Sequence, residues 1–385
     1  MKIGVNARLL ANPYVGIGQH IRFLYCELAK IDQENEYSLI TAENVPEFLK
    51  KQFPENLKCV LIPEKKYIPK SLAKTYFEQV SIPKYLKKEG IKNALYTYPA
   101  NPWSNFIFKD GINIVTVHDA IVWKLPEYQR SILSKLYHFQ TKKALKKADK
   151  VVTVSESSKN DLIKYCGLKS ENIEVVYNDV NPLFKTKPDD GFVAVVLKKF
   201  GLKRNNFLFY CGGYEVRKNI EKLIKEYDLY QELCMEMEIK PYPLVLAGQN
   251  LNKNKLYFDL AGLKNKENVI LTGFIEENEL RAFYSACFAF IHLSKEEGFN
   301  IPILEAANQG APLIVSDIPV HREIAGENAK YVDLEKNGEV AKYLISKLDK
   351  DLRAECAEDL KSMVGGYSWS ESAKKYKKII YTLIK

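Results

Sequence analysis

The sequence predicts an α/β protein of two domains, each built on a buried parallel sheet, with the two sheets facing a central cleft. Two observations carry that expectation. Short runs rich in Val, Ile and Leu alternate along the whole chain with longer stretches of helical pattern, as strands buried on both faces require. Near the middle, residues 181–201 interrupt the rhythm with two prolines and the adjacent Asp189 and Asp190. A chain of 385 residues exceeds one ordinary domain of about 100–200 residues, so this segment is read as including a linker.

In order, strands are expected within residues 2–6, 37–41, 59–63, 94–98, 113–119, 150–155 and 173–178. In the second half they are expected within 206–212, 242–248, 268–273, 288–294 and 312–317. The domains are placed at 1–183 and 184–366, with a C-terminal helix at 367–385 after the Gly365-Gly366 break. Ligands in such folds bind outside the carboxyl ends of the strands, so residues just after these runs are the candidates for chemistry.

A hydrophobic fraction of 46% with 27% charged residues excludes a largely disordered chain. Lys and Arg number 57 against 48 Asp and Glu, and the net charge of +9 favours anionic partners. No known nucleic-acid module appears, so no nucleic-acid partner is expected. The seven cysteines form no C-x-x-C pair, which argues against a zinc site or a disulfide framework. The N-terminus lacks an apolar signal core, and the apolar stretch Phe283–Leu293 is too short to span a bilayer. A cytoplasmic location is the expectation.

The most specific stretch reads EGFNIPILE, from Glu297 to Glu305. Glu297 falls in the loop after a strand. Asn300 suits an N-cap, Pro302 suits the first helical turn, and Gly310 suits the position past the helix end. A helix N-terminus there, at Ile301, would suit a phosphate. Glu297 could bond sugar hydroxyls and Glu305 a ribose diol. Upstream, a strand, the Gly212-Gly213 turn and a helix capped by Asn219 bracket Arg217 and Lys218, two cations fit to clamp a pyrophosphate. After Gly273, Phe274 and Ile275 could wall a nucleobase pocket. In the first half, a loop containing Gly16 and Gly18 precedes a helix expected to begin near Gln19 or His20. His118 stands at a strand's carboxyl end beside Asp119 and could donate to a sugar hydroxyl or a phosphate.

Together these pieces resemble glycosyltransferase family 4. The motifs VTVHDA, VTVSESSKNDLI, VVYNDV, the RKN turn, TGFIEENEL and EGFNIPILEAANQGAPLIVSD appear in the family's order, and the Glu297–Glu305 spacing matches its E-x7-E motif. The resemblance covers nearly the whole chain. It implies the GT-B fold, two Rossmann-like domains closing on a nucleotide-sugar donor, and retaining transfer with no metal or other cofactor. It also implies that Glu297 contacts the transferred sugar and Glu305 the ribose. Arg217 and Lys218 hold the diphosphate, His118 contacts the donor sugar, and the loop with Gly16 and Gly18 closes over phosphates and acceptor. Gly213, Gly298, Phe299, Asn300 and Ile301 join Phe274, Ile275 and Glu305 as donor-binding positions. The last helix, from Trp369, would cross back onto the first domain.

Three departures stand out. Gly213 occupies a position where many members carry an arginine, Asn178-Asp179 replaces an Asn-Gly turn, and EAANQG replaces a small-residue and cysteine version. The sequence Asp349-Lys350-Asp351 is a D-x-D in a charged, helical-looking stretch and is read as surface. The opening and the RKN turn look most like members that use GDP-mannose in polysaccharide or O-antigen assembly. The acceptor is then a glycan or a lipid-linked glycan. A nucleotide-sugar epimerase or hydrolase, or a non-catalytic scaffold of the same fold, are the competing readings. Finally, Ser131–Lys150 reads as a helix with Lys142, Lys143, Lys146, Lys147 and Lys150 on one arc. Leu133, Tyr137, Ala144, Leu145 and Ala148 occupy the other arc, and the lysine face would suit an anionic membrane surface.

Overall fold

A computed structural model describes residues 1–65, 67–97, 111–129, 131–248 and 266–383. The chain forms two compact units, Met1–Asp179 with Tyr367–Lys385, and Val180–Gly366. The first contains β1 (Lys2–Asn6), β2 (Glu36–Thr41), β3 (Leu57–Leu61), β4 (Asn93–Thr97), β5 (Asn113–Thr116), β6 (Lys150–Thr153) and β7 (Ile173–Val175). They pair in parallel in the order β3-β2-β1-β4-β5-β6-β7. The second contains β8 (Leu208–Cys211), β9 (Leu244–Ala247), β10 (Val269–Gly273), β11 (Ala289–His292), β12 (Leu313–Ser316) and β13 (Lys330–Val332). Their order is β10-β9-β8-β11-β12-β13, again parallel. In each sheet the winding reverses once, between β1 and β4 and between β8 and β11. Such a switch point opens a crevice at the strand ends.

Each apolar run read from the sequence overlaps a strand, although β3 begins two residues before its run. Among the described residues the unread strand is β13, where only Val332 is fully buried and no apolar run exists to mark it. Tyr98, at the end of the fourth run, lies outside the described residues. The helix Trp369–Leu383 buries Trp369, Ala373, Tyr376 and Ile380 in the first unit's core with Leu24, Tyr25 and Leu28. Trp369 stacks on Phe23 at 5.9 Å, and Tyr376 bonds Thr116 at 3.2 Å.

Several local expectations are corrected. Residues 181–201 are mostly ordered structure: Pro182–Lys185 form a 3-10 turn and Asp190–Lys199 a helix. The paired aspartates there begin a helix, since the Asp189 carboxylate accepts the Phe192 N–H at 2.9 Å. The glycine loop is also helical, in a helix running Gly16–Ile31. A Cβ on Gly18 would lie 2.1 Å from the Asn12 carbonyl oxygen, so glycine lets this helix press against the chain before it. The non-glycine residues with positive φ are Asn205, Asn219, Glu238 and Asn300 among the described residues, so Asp179 does not take the left-handed backbone that the glycine of an Asn-Gly turn would supply. Asp349-Lys350-Asp351 is a turn, and Asp351 caps the helix Leu352–Gly365 through the Ala354 N–H at 3.2 Å.

Candidate active site

In the second unit, the switch-point neighbours β8 and β11 run into two loops. One holds Gly212, Gly213 and the 3-10 turn Val216–Lys218; the other holds Ser294 to Asn300. The Lys295 N–H donates to the Arg217 carbonyl at 2.8 Å, and Asn219 Nδ2 to the Leu293 carbonyl at 3.1 Å, so the two loops are tied to each other. That second bond corrects the reading of Asn219 as a cap. It occupies the cap position of the helix Ile220–Glu236 in a left-handed conformation (φ 55°), and its side chain ties loops together instead.

The loops bring Arg217, Lys218 and Glu297 into one cluster. The Glu297 carboxylate accepts from Arg217 Nη1 at 2.5 Å, Lys218 Nζ at 2.6 Å and Ser294 Oγ at 2.7 Å. Its side chain is 6% exposed. Burial alone would raise its pKa, but Arg217 and Lys218 outweigh burial and hold it well below the usual carboxylate range. Burial lowers the Lys218 pKa, against the opposing pull of Glu297. Arg217 also bonds Glu215 at 2.9 Å. This is a preorganised pair of cations with a carboxylate fixed between them, suited to an anionic ligand and to the hydroxyls beside it.

Around the cluster, the helix Ile301–Asn308 begins at Ile301, with Gly298, Phe299 and Asn300 buried before it. Asn300 makes no cap bond. It is left-handed (φ 77°), and its amide lies between the His292 and His321 rings at 3.0 and 2.9 Å. Glu305 is buried, and its carboxylate accepts from Tyr284 at 3.1 Å. Phe274 is 49% exposed beside Gly273, while Ile275 turns into the core. Gly213 stands in the turn after β8, with its carbonyl accepting from the Tyr210 hydroxyl at 2.9 Å.

In the first unit, His118 follows β5 and packs edge-on against His20 at 4.6 Å. His20 Nδ1 meets Asn178 Oδ1 at 2.8 Å. The amide oxygen can only accept, so His20 donates there and its Nε2 is a bare acceptor. Both Nε2 atoms are buried without a partner among the described residues. The sequence reading passed over His20 as a site residue; the available signal was a histidine one turn beyond Gly16. It also passed over His292, a lone polar residue within an apolar strand, and His321. The first-turn N–H groups of Gly16, Ile17 and Gly18 have no intrahelical partner by geometry, so the corrected helix start still offers donors.

These histidines give the protein an acid limit. Burial lowers His20 and His321 from 6.5 to about 4, and His118 and His292 further. Their contribution is fully present above pH ~6.5 and is lost as pH falls towards ~4, because the unfolded chain then binds protons the folded one refuses. Each site contributes a slope of about 1.4 kcal/mol per pH unit. Glu78, raised by burial to about 8, acts oppositely above pH ~4.5, but is a single group. Thermal unfolding should therefore show a midpoint at least ~4 °C lower at pH 5 than at pH 7. Equal midpoints would contradict the neutral, buried state of these rings.

Solved structures similar to this chain include HepE of Anabaena in complex with UDP and glucose, with a TM-score of 0.74 and 16% identity over 99% of this chain and 100% of that one. WaaG, a glycosyltransferase involved in lipopolysaccharide biosynthesis, gives 0.72 and 14% over 99% of each chain. The two switch-point sheets thus have the GT-B fold. A Glycosyltransferase Family 4 domain matches residues 14–182, and a Glycosyl transferases group 1 domain matches residues 196–363. The O-antigen chain mannosyltransferase RfbU of Salmonella typhimurium is 30% identical over 66% of this chain and 68% of its own length. O-antigen chain mannosyltransferase B of Escherichia coli is 26% identical over 63% of each. The chain belongs to glycosyltransferase family 4, and it is an enzyme of that kind.

Proposed function

We propose that the enzyme is a retaining, metal-independent glycosyltransferase that moves mannose from GDP-mannose to a glycan or lipid-linked glycan acceptor. The observation that carries this is the Arg217–Lys218–Glu297 cluster at the β8–β11 switch point. Breaking the bond between a sugar and a nucleoside diphosphate leaves negative charge on the phosphate. Arg217 and Lys218 stand ready to take that charge, and the helix N-terminus at Ile301 adds its dipole. Glu297 meets sugar hydroxyls, and Glu305 the ribose. His118 contacts the donor sugar, and the leaving phosphate helps deprotonate the acceptor hydroxyl on the same face. The two mannosyltransferase relatives support the choice of sugar.

A thermal-shift panel tests the donor. GDP-mannose at 100 times its dissociation constant should stabilise by about 2.7 kcal/mol. An equal or larger shift with UDP-glucose would overturn the donor assignment. Activity lost in EDTA and restored by manganese would overturn metal independence.

Contact with an anionic membrane surface belongs to the same reading, with a changed footing. The helix ends at Leu145; Lys150 instead opens β6 and pairs with Glu174 at 3.8 Å. Lys142 is half-buried near the Trp123 ring. Ala144, Leu145 and Ala148 are buried and Tyr137 half-buried, while the side chain of Leu133 lies outside those described. What the helix exposes is Ile132 (85%), Leu136 (42%) and Phe139 (53%), beside the exposed Lys143, Lys146 and Lys147. Apolar side chains spaced four and three apart with lysines alongside suit insertion among anionic headgroups. Among the described residues no helix is long and apolar enough to cross a membrane. Co-sedimentation at low salt should favour anionic over neutral vesicles and weaken when Leu136 and Phe139 become serine. Equal, negligible binding to both would refute it.

A further inference from the structure

His292 closes β11 with no exposed surface, and none of the proposed donor contacts involves it. Its neighbours decide where its proton sits. His321, on the helix Pro319–Ala325, places Nδ1 3.0 Å from the Ser316 carbonyl oxygen, which can only accept. His321 therefore donates from Nδ1, and its Nε2 carries a lone pair. The Asn300 amide atom 2.9 Å from that Nε2 must be the NH2 nitrogen, as it is placed. The same nitrogen lies 3.0 Å from His292 Nδ1 and turns its second hydrogen there, so His292 Nδ1 is an acceptor. Ser294 Oγ, 3.1 Å from Nδ1, spends its hydrogen on Glu297 at 2.7 Å and supplies no alternative proton. Burial keeps the ring neutral, so its one proton is on Nε2.

That Nε2–H is buried without a partner among the described residues. A buried donor left unmade is costly and is retained where something else comes to satisfy it. Its surroundings say what. A Cβ on Gly212 would fall 3.7 Å from Nε2, so the donor borders the turn at the end of β8. Gly212 holds φ 155°, and that Cβ would also meet the Tyr210 hydroxyl at 2.7 Å, so only glycine lets the turn close this tightly over the tyrosine and the imidazole. Ser294 Oγ, which donates to Glu297, lies 3.1 Å from the ring, so the imidazole stands one side chain away from the carboxylate that pairs with Arg217 and Lys218.

We propose that His292 Nε2–H is a diphosphate-binding donor, oriented by the Ser316–His321–Asn300 chain, which bonds an oxygen of the phosphate that carries the sugar. This rests on the assignment of the second unit as the donor site. The histidine adds a neutral, directional contact where the cations add charge. It discriminates a nucleoside diphosphate from a monophosphate, because only the former places an oxygen beyond the first phosphate.

The test is calorimetric binding of GDP, GMP, UDP and UMP to the full chain. His292→Phe keeps a ring against Tyr210 and removes the donor; His292→Gln keeps an N–H near the Nε2 position. The Phe variant should bind the preferred diphosphate at least ~10-fold more weakly, with monophosphate affinity within about twofold of the parent, and the Gln variant should recover most of the loss. Diphosphate binding unchanged in the Phe variant, or lost equally with the monophosphate, overturns the proposal. A parent protein that binds no diphosphate would instead remove the donor-site reading beneath it. Nitrogen NMR on the parent labelled at histidine is independent of whether either variant folds. The resonance missing in a His292 variant, or identified by its contact to Asn300, should show the Nε2–H form and move with diphosphate but not monophosphate. An Nδ1–H form, or no movement, overturns the proposal.

Discussion

Glu297→Gln should cut sugar transfer by about 10²–10³-fold while the second unit stays folded. The carboxylate is the common partner of Arg217, Lys218 and Ser294. An amide fits the same space but presents one acceptor and no charge, so the two cations lose the group that sets their spacing. Arg217 keeps Glu215 at 2.9 Å, and the backbone bond from Lys295 to the Arg217 carbonyl survives, so the loops have no reason to come apart. Steady-state kinetics beside a thermal unfolding curve checks both halves of the statement. Turnover like that of the parent would remove Glu297 from the chemistry. Lost activity together with a collapsed unfolding transition would make it structural.

Lys218→Met should lower kcat and kcat/KM together, by about 10²-fold or more. Lys218 is buried and its charge faces the carboxylate at 2.6 Å. Methionine keeps the apolar stem and the volume, so the change removes charge with little repacking. Negative charge on the leaving phosphate grows as the bond to the sugar breaks, so a cation placed there gains most in the transition state. A raised KM with unchanged kcat would instead show uniform binding and would refute the proposed role.

Much of the scaffold was legible because strands and helices depend on near neighbours. Runs such as NIVTVHD and FAFIHLS announced β5 and β11, and both strands begin within the residues expected. β13 escaped because a three-residue edge strand has too little apolar sequence to announce itself. The paired aspartates at 189 and 190 misled because the same residue type that favours a turn also caps a helix, and only the following apolar spacing separates the two. Asn219 and Asn300 misled similarly. Both occupy cap positions, but their left-handed backbones turn their side chains to other partners.

What the sequence determined by itself was the two-sheet α/β plan, the family, and which residue types stand after β5, β8 and β11. Those follow from periodicity and from motifs whose parts lie within a few residues of one another. Only the tertiary structure decided how they meet. Arg217 and Glu297 are 80 positions apart, His20 and Asn178 are 158 apart, and each pair exists because parallel strands bring distant segments of the chain together at the strand ends. The proton on His292 is likewise a tertiary property. It depends on a carbonyl at Ser316 that orients His321, which orients Asn300. A hydrogen bond couples atoms by distance and direction, and no spacing along the chain encodes either until the sheet has closed.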